Sequence, residues 1–242
     1  MIRSFLLILF SLFACSDSES KNISDESIIQ DLEWNEVWSD EFDGESLDEN
    51  KWNILQWRPG WVNNELQAYT SRDTNVFIDN GNLVLQGLIE PGYYGTDHTG
   101  TGYNADYTSG RVNTDDKINW TYGRFDIRAK LPKGRGSWPA IWMLGENIST
   151  VGWPNCGEID IMEHVGFEEG MIHGSIHTED YNHSINTQRS GAKFVSTATD
   201  SFHTYSLEWG PTYLRYLIAV SYTHLRAHET REDRGCRRVG AK

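Results

Sequence analysis

The sequence predicts an all-β domain built as a sandwich or barrel, and three observations support that fold class. Residues 123–131 alternate strictly between apolar and polar side chains, as expected of a strand with one buried face. Shorter runs of strand-forming residues follow at 82–86, 205–209 and 213–218. Turn-forming residues, such as those at 79–81, separate these runs, and no amphipathic helix of useful length is evident. Many short strands at close spacing are typical of sandwiches and barrels.

Length and composition narrow the functional classes. The chain has 242 residues, enough for one substantial domain. Its formal net charge of -14 argues against a nucleic-acid partner, which would require a basic surface. The ten Trp are either core aromatics or flat platforms for sugar rings, and composition leaves both readings open. Residues 93–107, rich in Gly and Thr, are expected to form an exposed loop near a cleft.

The first residues predict export from the cell. Residues 1–15 combine a positive start with a short apolar run, and the run ends at Cys15. Because Ala14 precedes it, Cys15 resembles the lipidated cysteine of a bacterial lipoprotein, although the bulky Phe13 leaves cleavage to a free secreted form open. Residues 16–32 are then a polar tether. We expect a secreted protein of the outer membrane or cell surface of a bacterium that contacts the membrane only through its lipid anchor.

The C-terminal segment differs in character from the rest of the chain. From Val220 the alternation stops and basic residues become dense, and 220–230 resembles a translated sequencing-library adapter. Residues 220–242 are therefore expected to be an artefactual tail. The catalytic domain then comprises residues 33–219 and is C-terminally truncated. We expect this 242-residue chain to aggregate and to be inactive, because a sandwich without its last strands has open edges. Cys156 is expected to be an unpaired thiol.

The most informative stretch is the acidic run at 156–166, CGEIDIMEHVG. Glu158 and Asp160 alternate with Ile159 and Ile161, so the two carboxylates share one face of a strand. Glu163 would face the other side unless one extra residue, at 161–162, is accommodated as a β-bulge. Retaining glycosidases use two carboxyl groups about 5 to 5.5 Å apart. The run predicts such a pair, and a solvated acidic strand face is the alternative.

This run and several flanking segments resemble glycoside hydrolase family 16, specifically its laminarinase-like branch. The supporting segments occur in the expected order: VWSDEFDG, NNELQAYT, YTSGRV, YGRFDIRAKLPKGRGSWPAIWMLG, GWPNCGEIDIMEHVG and HGSIHT. The resemblance extends over residues 34–218. The resemblance implies a concanavalin A-like β-jelly-roll sandwich and retaining endo-hydrolysis of β-1,3-glucan by double displacement. The extra residue before the last Glu distinguishes this branch from the mixed-linkage β-glucanases.

The resemblance also implies roles for individual residues. Glu158 corresponds to the nucleophile, Asp160 to the assisting carboxylate and Glu163 to the acid/base. The implied sugar-binding residues are Asn64, Glu65, Arg111, Trp138, Trp142 and His177. Trp61 and Trp153 are candidate platforms at outer subsites. Glu41 matches part of a structural calcium site found in many members, and no cofactor is implied for catalysis.

Three alternatives to laminarin hydrolysis stay open. The same mechanism would act on mixed-linkage β-glucan or on a marine galactan. A non-catalytic glucan-binding module is disfavoured because Glu158 and Glu163 are both present. A surface lipoprotein that captures glycan for import, with cleavage secondary, is the third. The expected partner in each case is a polysaccharide, with no nucleic acid, and the protein is expected to be a monomer.

Overall fold

The computed structural model describes residues 33–218 and the backbone of residues 221–223. Residues 33–38 have no regular secondary structure and form a unit separate from the compact body that begins at Ser39. The predictions for the signal peptide, for the lipidation of Cys15, for the tether and for most of the tail lie outside the described residues. Within the described part of the chain, no helix is long and apolar enough to span a membrane.

Fifteen strands, one short α-helix and one 3-10 helix make up the regular structure of the described residues. In chain order the strands are β1 Asn53–Ile54, β2 Ala68–Tyr69, β3 Val76–Asp79, β4 Asn82–Leu85, β5 Leu88–Thr96, β6 Gly102–Ser109, β7 Val112–Asn113, β8 Gly123–Ala129, β9 Ala140–Leu144, β10 Glu158–Glu163, β11 Met171–His177, β12 Arg189–Phe194, β13 His203–Gly210, β14 Tyr213–Ile218 and β15 Ser221–Thr223. The α-helix, α1, covers Ile148–Val151. The predicted all-β class is therefore confirmed.

Two four-stranded antiparallel sheets form the body of the domain. The inner sheet has the order β12-β11-β10-β9, and the outer sheet has the order β15-β14-β13-β8. β15 falls in the segment that sequence reasoning assigned to the artefactual tail, and its backbone pairs with β14. Smaller sheets, β2-β6-β5, β3-β4 and β1-β7, complete the described structure.

The core lies between the two large sheets and follows the predicted alternation. Ile127 and Ala129 of β8, together with Leu131 just beyond it, pack into this core, as the alternating pattern indicates. Met162 of β10 and Tyr205 of β13 are almost completely buried within it. Because one face of the inner sheet is committed to this core, its other face is left for polar and functional side chains.

One expectation about a loop was wrong. Residues 93–107 are not a continuous exposed loop, because 93–96 end β5 and 102–107 belong to β6. Only 97–101 form the connection between the two antiparallel strands. The Gly and Thr residues led to the loop interpretation, but the aromatic residues Tyr93 and Tyr103 pack together on this sheet and stabilise strand pairing there.

Candidate active site

Strand β10 carries the three carboxylates and contains the predicted β-bulge. On its β9 side, Asp160 pairs with Trp142 while Met162 pairs with the adjacent Ile141, so β10 contains one extra residue. The pairing with β11 also shifts, between Asp160 and Glu163. The prediction of an irregularity at 161–162 is thus confirmed.

The bulge explains how three acids share one face. Ile161 and Met162 are consecutive, yet both are buried in the core between the large sheets. Two neighbouring side chains on the core face change the alternation by one position, and Glu163 returns to the side that carries Glu158 and Asp160. His164 directly after it is fully buried and accepts a hydrogen bond from the Gly170 N–H through Nε2.

Glu158 has a strongly perturbed acidity. Burial raises its pKa to about 7, and the nearby charge of Asp160 acts in the same direction. His177 and a hydrogen bond from Trp153 lower the pKa but do not outweigh burial. A carboxyl group that titrates near neutrality is typical of sites that perform acid/base or nucleophilic chemistry.

Glu163 occupies a similar environment but has a different partner. Burial again raises its pKa, followed by the charge of Asp160. The indole Nε1 of Trp138 donates a hydrogen bond to Oε1 of Glu163 at 3.0 Å, which opposes this shift. Trp138 is 53% exposed, so its ring also presents a surface to solvent beside the carboxylate.

Asp160 lies between the two glutamates and faces His177. The His177 Nε2 is 3.2 Å from Oδ2 of Asp160 and 3.9 Å from Oε1 of Glu158, and the Asp160 and His177 side chains are nearly inaccessible. Burial lowers the pKa of His177, but the close approach of Asp160 and the charges of both glutamates outweigh it and raise that pKa. An imidazolium here compensates the negative charge of the acidic cluster.

The same cluster has the donor atoms of a cation site. One atom each from Glu158, Asp160 and His177 lie within 4.8 Å of one another. The resemblance to family 16 implies that no metal takes part in the reaction. The absence of a catalytic metal stays a prediction.

A ladder of aromatic rings and cations runs away from the carboxylates. Trp142, the cross-strand partner of Asp160, contacts the guanidinium of Arg111 at 4.8 Å from the ring centroid. Arg111 also lies 4.5 Å from the ring centroid of Trp57 and 5.4 Å from that of Tyr69. Trp57 in turn stacks on Trp61 with centroids 6.1 Å apart. Flat rings with polar edges along a groove suit the alternating apolar and hydroxylated faces of sugars.

The predicted binding residues of the 60–69 segment lie at the far part of this ladder. Asn64 is exposed and has a left-handed backbone with φ 52°. Glu65 accepts a hydrogen bond from the hydroxyl of Tyr69 at 2.7 Å and another from Gln67 at 3.1 Å. Trp61 is 36% exposed. The structure therefore connects Arg111, Trp142 and Trp61 through Trp57, and Glu65 joins them through Tyr69.

Trp153 differs from the outer position predicted for it. Its ring lies 5.9 Å from that of His177 and 4.7 Å from that of His183, and its side chain hydrogen bonds to Glu158. Trp153 therefore belongs to the carboxylate cluster. His183, on a short 3-10 turn at His183–Ile185, was not predicted, and its position depends on a tertiary contact that the local sequence does not encode.

Glu41 lies in an exposed acidic loop. Asp40 accepts hydrogen bonds from the Phe42 N–H at 3.0 Å and from the Trp52 indole at 2.8 Å, which fixes the loop. Lys51 donates to the Ser39 carbonyl at 2.7 Å. The Glu41 carboxylate is exposed, and a carboxylate oxygen is a ligand that calcium prefers, but the Ser39 carbonyl is already bound by the Lys51 ammonium.

Comparisons with known proteins agree with this geometry. The profile of glycosyl hydrolases family 16 matches residues 56–234. The chain belongs to that family. Among its relatives, a β-glucanase of Rhodothermus marinus is 45% identical over 222 residues, covering 90% of this chain and 72% of the relative. A glucan endo-1,3-β-glucosidase of Cryptopygus antarcticus is 37% identical over 197 residues, covering 79% and 68%.

A solved family 16 structure extends the likeness to three dimensions. It is a mutant of SCLam, a non-specific endo-β-1,3(4)-glucanase crystallised with a gluco-oligosaccharide at its active site. Its TM-score to this chain is 0.74 at 39% identity, with 81% of this chain and 75% of that chain covered. The jelly-roll sandwich implied by the sequence is therefore confirmed.

Proposed function

We propose that this protein is a retaining endo-glycosidase that hydrolyses β-1,3-glucan of the laminarin type. The observation that carries the proposal is the pair of half-buried glutamates, Glu158 and Glu163, on one face of the bulged strand with raised pKa values. The glucanase relatives support a glucan substrate. The ladder from Trp142 to Trp61 offers the extended sugar-binding surface that an endo-acting enzyme needs.

The chemistry follows from the roles of the two glutamates. Glu163 donates its proton to the glycosidic oxygen while the Glu158 carboxylate attacks the anomeric carbon, and the carbon–oxygen bond to the leaving sugar breaks. Water then attacks the same carbon, Glu163 accepts a proton from it, and the bond to Glu158 breaks. His177 contacts Asp160 and offsets the negative charge around Glu158. The hydrogen bond from the Trp138 indole orients the Glu163 carboxylate.

The test is the release of reducing sugar from laminarin, mixed-linkage β-glucan and a galactan panel by the chain with its native C-terminal continuation, which is the wild type in the comparisons below. We expect laminarin to be the preferred substrate. Glu158→Gln and Glu163→Gln each lower kcat by roughly 10²- to 10⁴-fold. Glu179→Gln, an exposed glutamate on the loop after β11, is the matched control and keeps full activity. If the enzyme preferred mixed-linkage β-glucan or a galactan, that polymer would replace laminarin as the proposed substrate.

The same variants separate catalysis from glycan capture. If the main function is binding for import, Glu158→Gln still retains laminarin in a pulldown, while the wild type releases little reducing sugar even at saturation. Robust hydrolysis by the wild type that Glu158→Gln abolishes supports the enzyme. Retention of most activity in either glutamine variant would contradict it.

We also propose that the tail after residue 219 is not native. The supporting observation is the adapter-like sequence at 220–230. Genomic sequence downstream of Ile218 is expected to continue the reading frame with further strand-forming residues, and a genome that encodes 220–242 unchanged would contradict this. Activity is therefore compared in the 242-residue chain and in the natively continued chain, and we expect only the latter to be active.

Export and calcium binding are further proposals. We propose a lipid-anchored surface protein, for which Cys15→Ser should abolish incorporation of labelled fatty acid. We propose that calcium binds at the Glu41 loop and stabilises the fold. Added calcium should raise the Tm of the natively continued chain, and Glu41→Ala should remove that increase. An unchanged Tm would exclude a structural calcium at Glu41.

A further inference from the structure

The turn at 97–101 is organised around one buried carboxylate. The side chain of Asp97 is inaccessible to solvent. Its Oδ1 accepts hydrogen bonds from the Thr99 N–H at 2.9 Å, the Thr99 hydroxyl at 2.6 Å and the Thr101 N–H at 3.0 Å. The hydrogen bonds from Thr99, followed by that from Arg58, hold the pKa of this carboxyl well below its usual range although burial opposes them. Asp97 is therefore a fixed anion.

This anion holds Arg58, and Arg58 covers part of Trp61. The Arg58 Nη1 is 2.6 Å from Oδ2 of Asp97, and its guanidinium lies 4.5 Å from the centroid of the Trp61 ring. Because the guanidinium is planar, an ion pair at one edge fixes the plane that lies over the indole.

The same turn contacts Trp61 from a second direction. The His98 ring meets the Trp61 ring edge-on, with centroids 4.8 Å apart. His98 is tied to the opposite segment because its backbone N–H donates to the Gln56 carbonyl at 3.0 Å and its Nδ1 lies 3.1 Å from the same oxygen. The indole is thus held by two side chains that both depend on the 97–101 turn, and it still leaves 36% of its surface exposed.

We propose that Asp97 is a positioning residue that clamps Trp61, through Arg58 and His98, as an outer sugar platform and so determines the preference for long glucan chains. The inference rests on the proposed glucanase function and identifies residues that set its chain-length specificity. Trp61 lies at the far end of the ladder from Asp160, beyond Trp142, Arg111 and Trp57. A short oligosaccharide bound at the carboxylates therefore does not reach it, whereas a long one does.

The physical reason for a clamp is conformational entropy. An exposed indole that is free to change rotamer must be ordered when a sugar stacks on it, and that ordering reduces the affinity. A ring fixed before binding avoids this loss. Removal of the clamp should therefore raise KM for long chains while leaving the chemical step at Glu158 and Glu163 unchanged.

The experiment compares kcat and KM for a short and a long β-1,3-gluco-oligosaccharide in the natively continued chain. Asp97→Asn keeps the size of the side chain but removes the anion that holds Arg58. We expect KM for the long substrate to rise about five- to ten-fold, with kcat and the short-substrate KM within about two-fold of wild type. Arg58→Lys keeps a positive charge beside Asp97 but removes the planar group over Trp61, and it should give the same pattern if Asp97→Asn folds poorly.

A double-mutant cycle tests whether Asp97 acts through Trp61. Trp61→Ala measures how much the platform lowers KM for the long substrate. In the Trp61→Ala background, Asp97→Asn should not raise this KM further. Asp79→Asn, the same charge change at the exposed β3–β4 turn, is the control and should behave as wild type. An unchanged ratio of long- to short-substrate KM in both Asp97→Asn and Arg58→Lys, or additive effects in the cycle, would overturn the inference. If the wild type cleaves no β-glucan, the proposed function itself has failed.

Discussion

At the scale of single residues, the two glutamates are chemically identical, and their neighbours make them different. Glu158 faces His177 and the Trp153 side chain, whereas Glu163 accepts a hydrogen bond from the more exposed Trp138. His177 lowers the pKa of both carboxyls, but burial raises the pKa of each and brings that of Glu158 to about 7. The roles of Glu158 as nucleophile and Glu163 as acid/base therefore follow from the family resemblance and not from these pKa shifts.

The raised pKa of Glu158 predicts a stability cost that the active site imposes on the fold. Its ordinary value of 4.5 is raised to about 7 in the folded chain, mainly by burial. Below the ordinary value the carboxyl is protonated in both states, and its contribution to stability is fully present. As pH rises towards about 7, the unfolded chain ionises first and the folded chain loses stability, by up to about 3 kcal/mol.

Glu158→Gln should therefore be more stable than wild type above about pH 7 and equally stable near pH 4. Thermal unfolding across this pH range measures the difference, with Glu179→Gln as the control for loss of one negative charge. A variant whose stability parallels that of wild type at every pH would show that burial does not perturb this carboxyl.

At the scale of elements, β10 was predictable in detail because its constraint is local. The spacing of Glu158, Asp160 and Glu163 requires one extra residue, and the bulge lies where that spacing demands it. The bonds of Asp97 to Thr99 and Thr101 in the 97–101 turn are local, but its contact with Arg58 was not predictable, because Arg58 is 39 positions away in sequence. Trp153 and His183 were misplaced or missed for the same reason, since their contacts join separate loops.

The bulge predicts opposite outcomes for removing and adding a residue. Deletion of Met162 gives a regular strand in which the three acids alternate, so they keep a common face. The deletion loses a side chain that is 1% exposed and should cost about 2–5 kcal/mol in stability, while measurable hydrolysis persists. Insertion of one Ala after Met162 should keep the bulge, because a regular strand would move the buried Met162 out of the core. With the bulge kept, the inserted residue turns the glutamate towards the core and should abolish hydrolysis. Comparable activity in both variants would contradict this account of the bulge.

At the scale of the whole molecule, the two large sheets have different roles, one in the chemistry and the other in stability. The inner sheet presents the carboxylates, and the outer sheet supports it from behind through the shared core. On β13, the side chains of Tyr205 and Leu207 face that core. Because side chains alternate along a strand, Glu208 faces the opposite side of the sheet. Glu208 is nevertheless buried, 3.0 Å from Arg215 and 3.1 Å from Arg124.

This buried ion group predicts a loss of stability without a loss of chemistry. Glu208→Gln removes the carboxylate that contacts the buried Arg215, whereas Arg124 keeps its contact with Asp126 at 2.9 Å, and the loss at Arg215 should destabilise the fold by about 3 kcal/mol. Denaturant unfolding measures the loss. Because Glu208 lies on the opposite side of the core from Glu158, kcat of the folded fraction should stay at the wild-type value. A variant of wild-type stability with reduced kcat would contradict this division between the sheets.

The central claim is that Glu158 forms a covalent bond to the sugar, which Glu163 assists from the same strand face. Proton NMR of the first products released from a β-1,3-gluco-oligosaccharide, recorded before mutarotation, tests it most directly. Two successive displacements at the anomeric carbon preserve its configuration, so the new reducing ends should appear first as the β-anomer. Initial release of the α-anomer would mean a single displacement by water and would contradict the role assigned to Glu158.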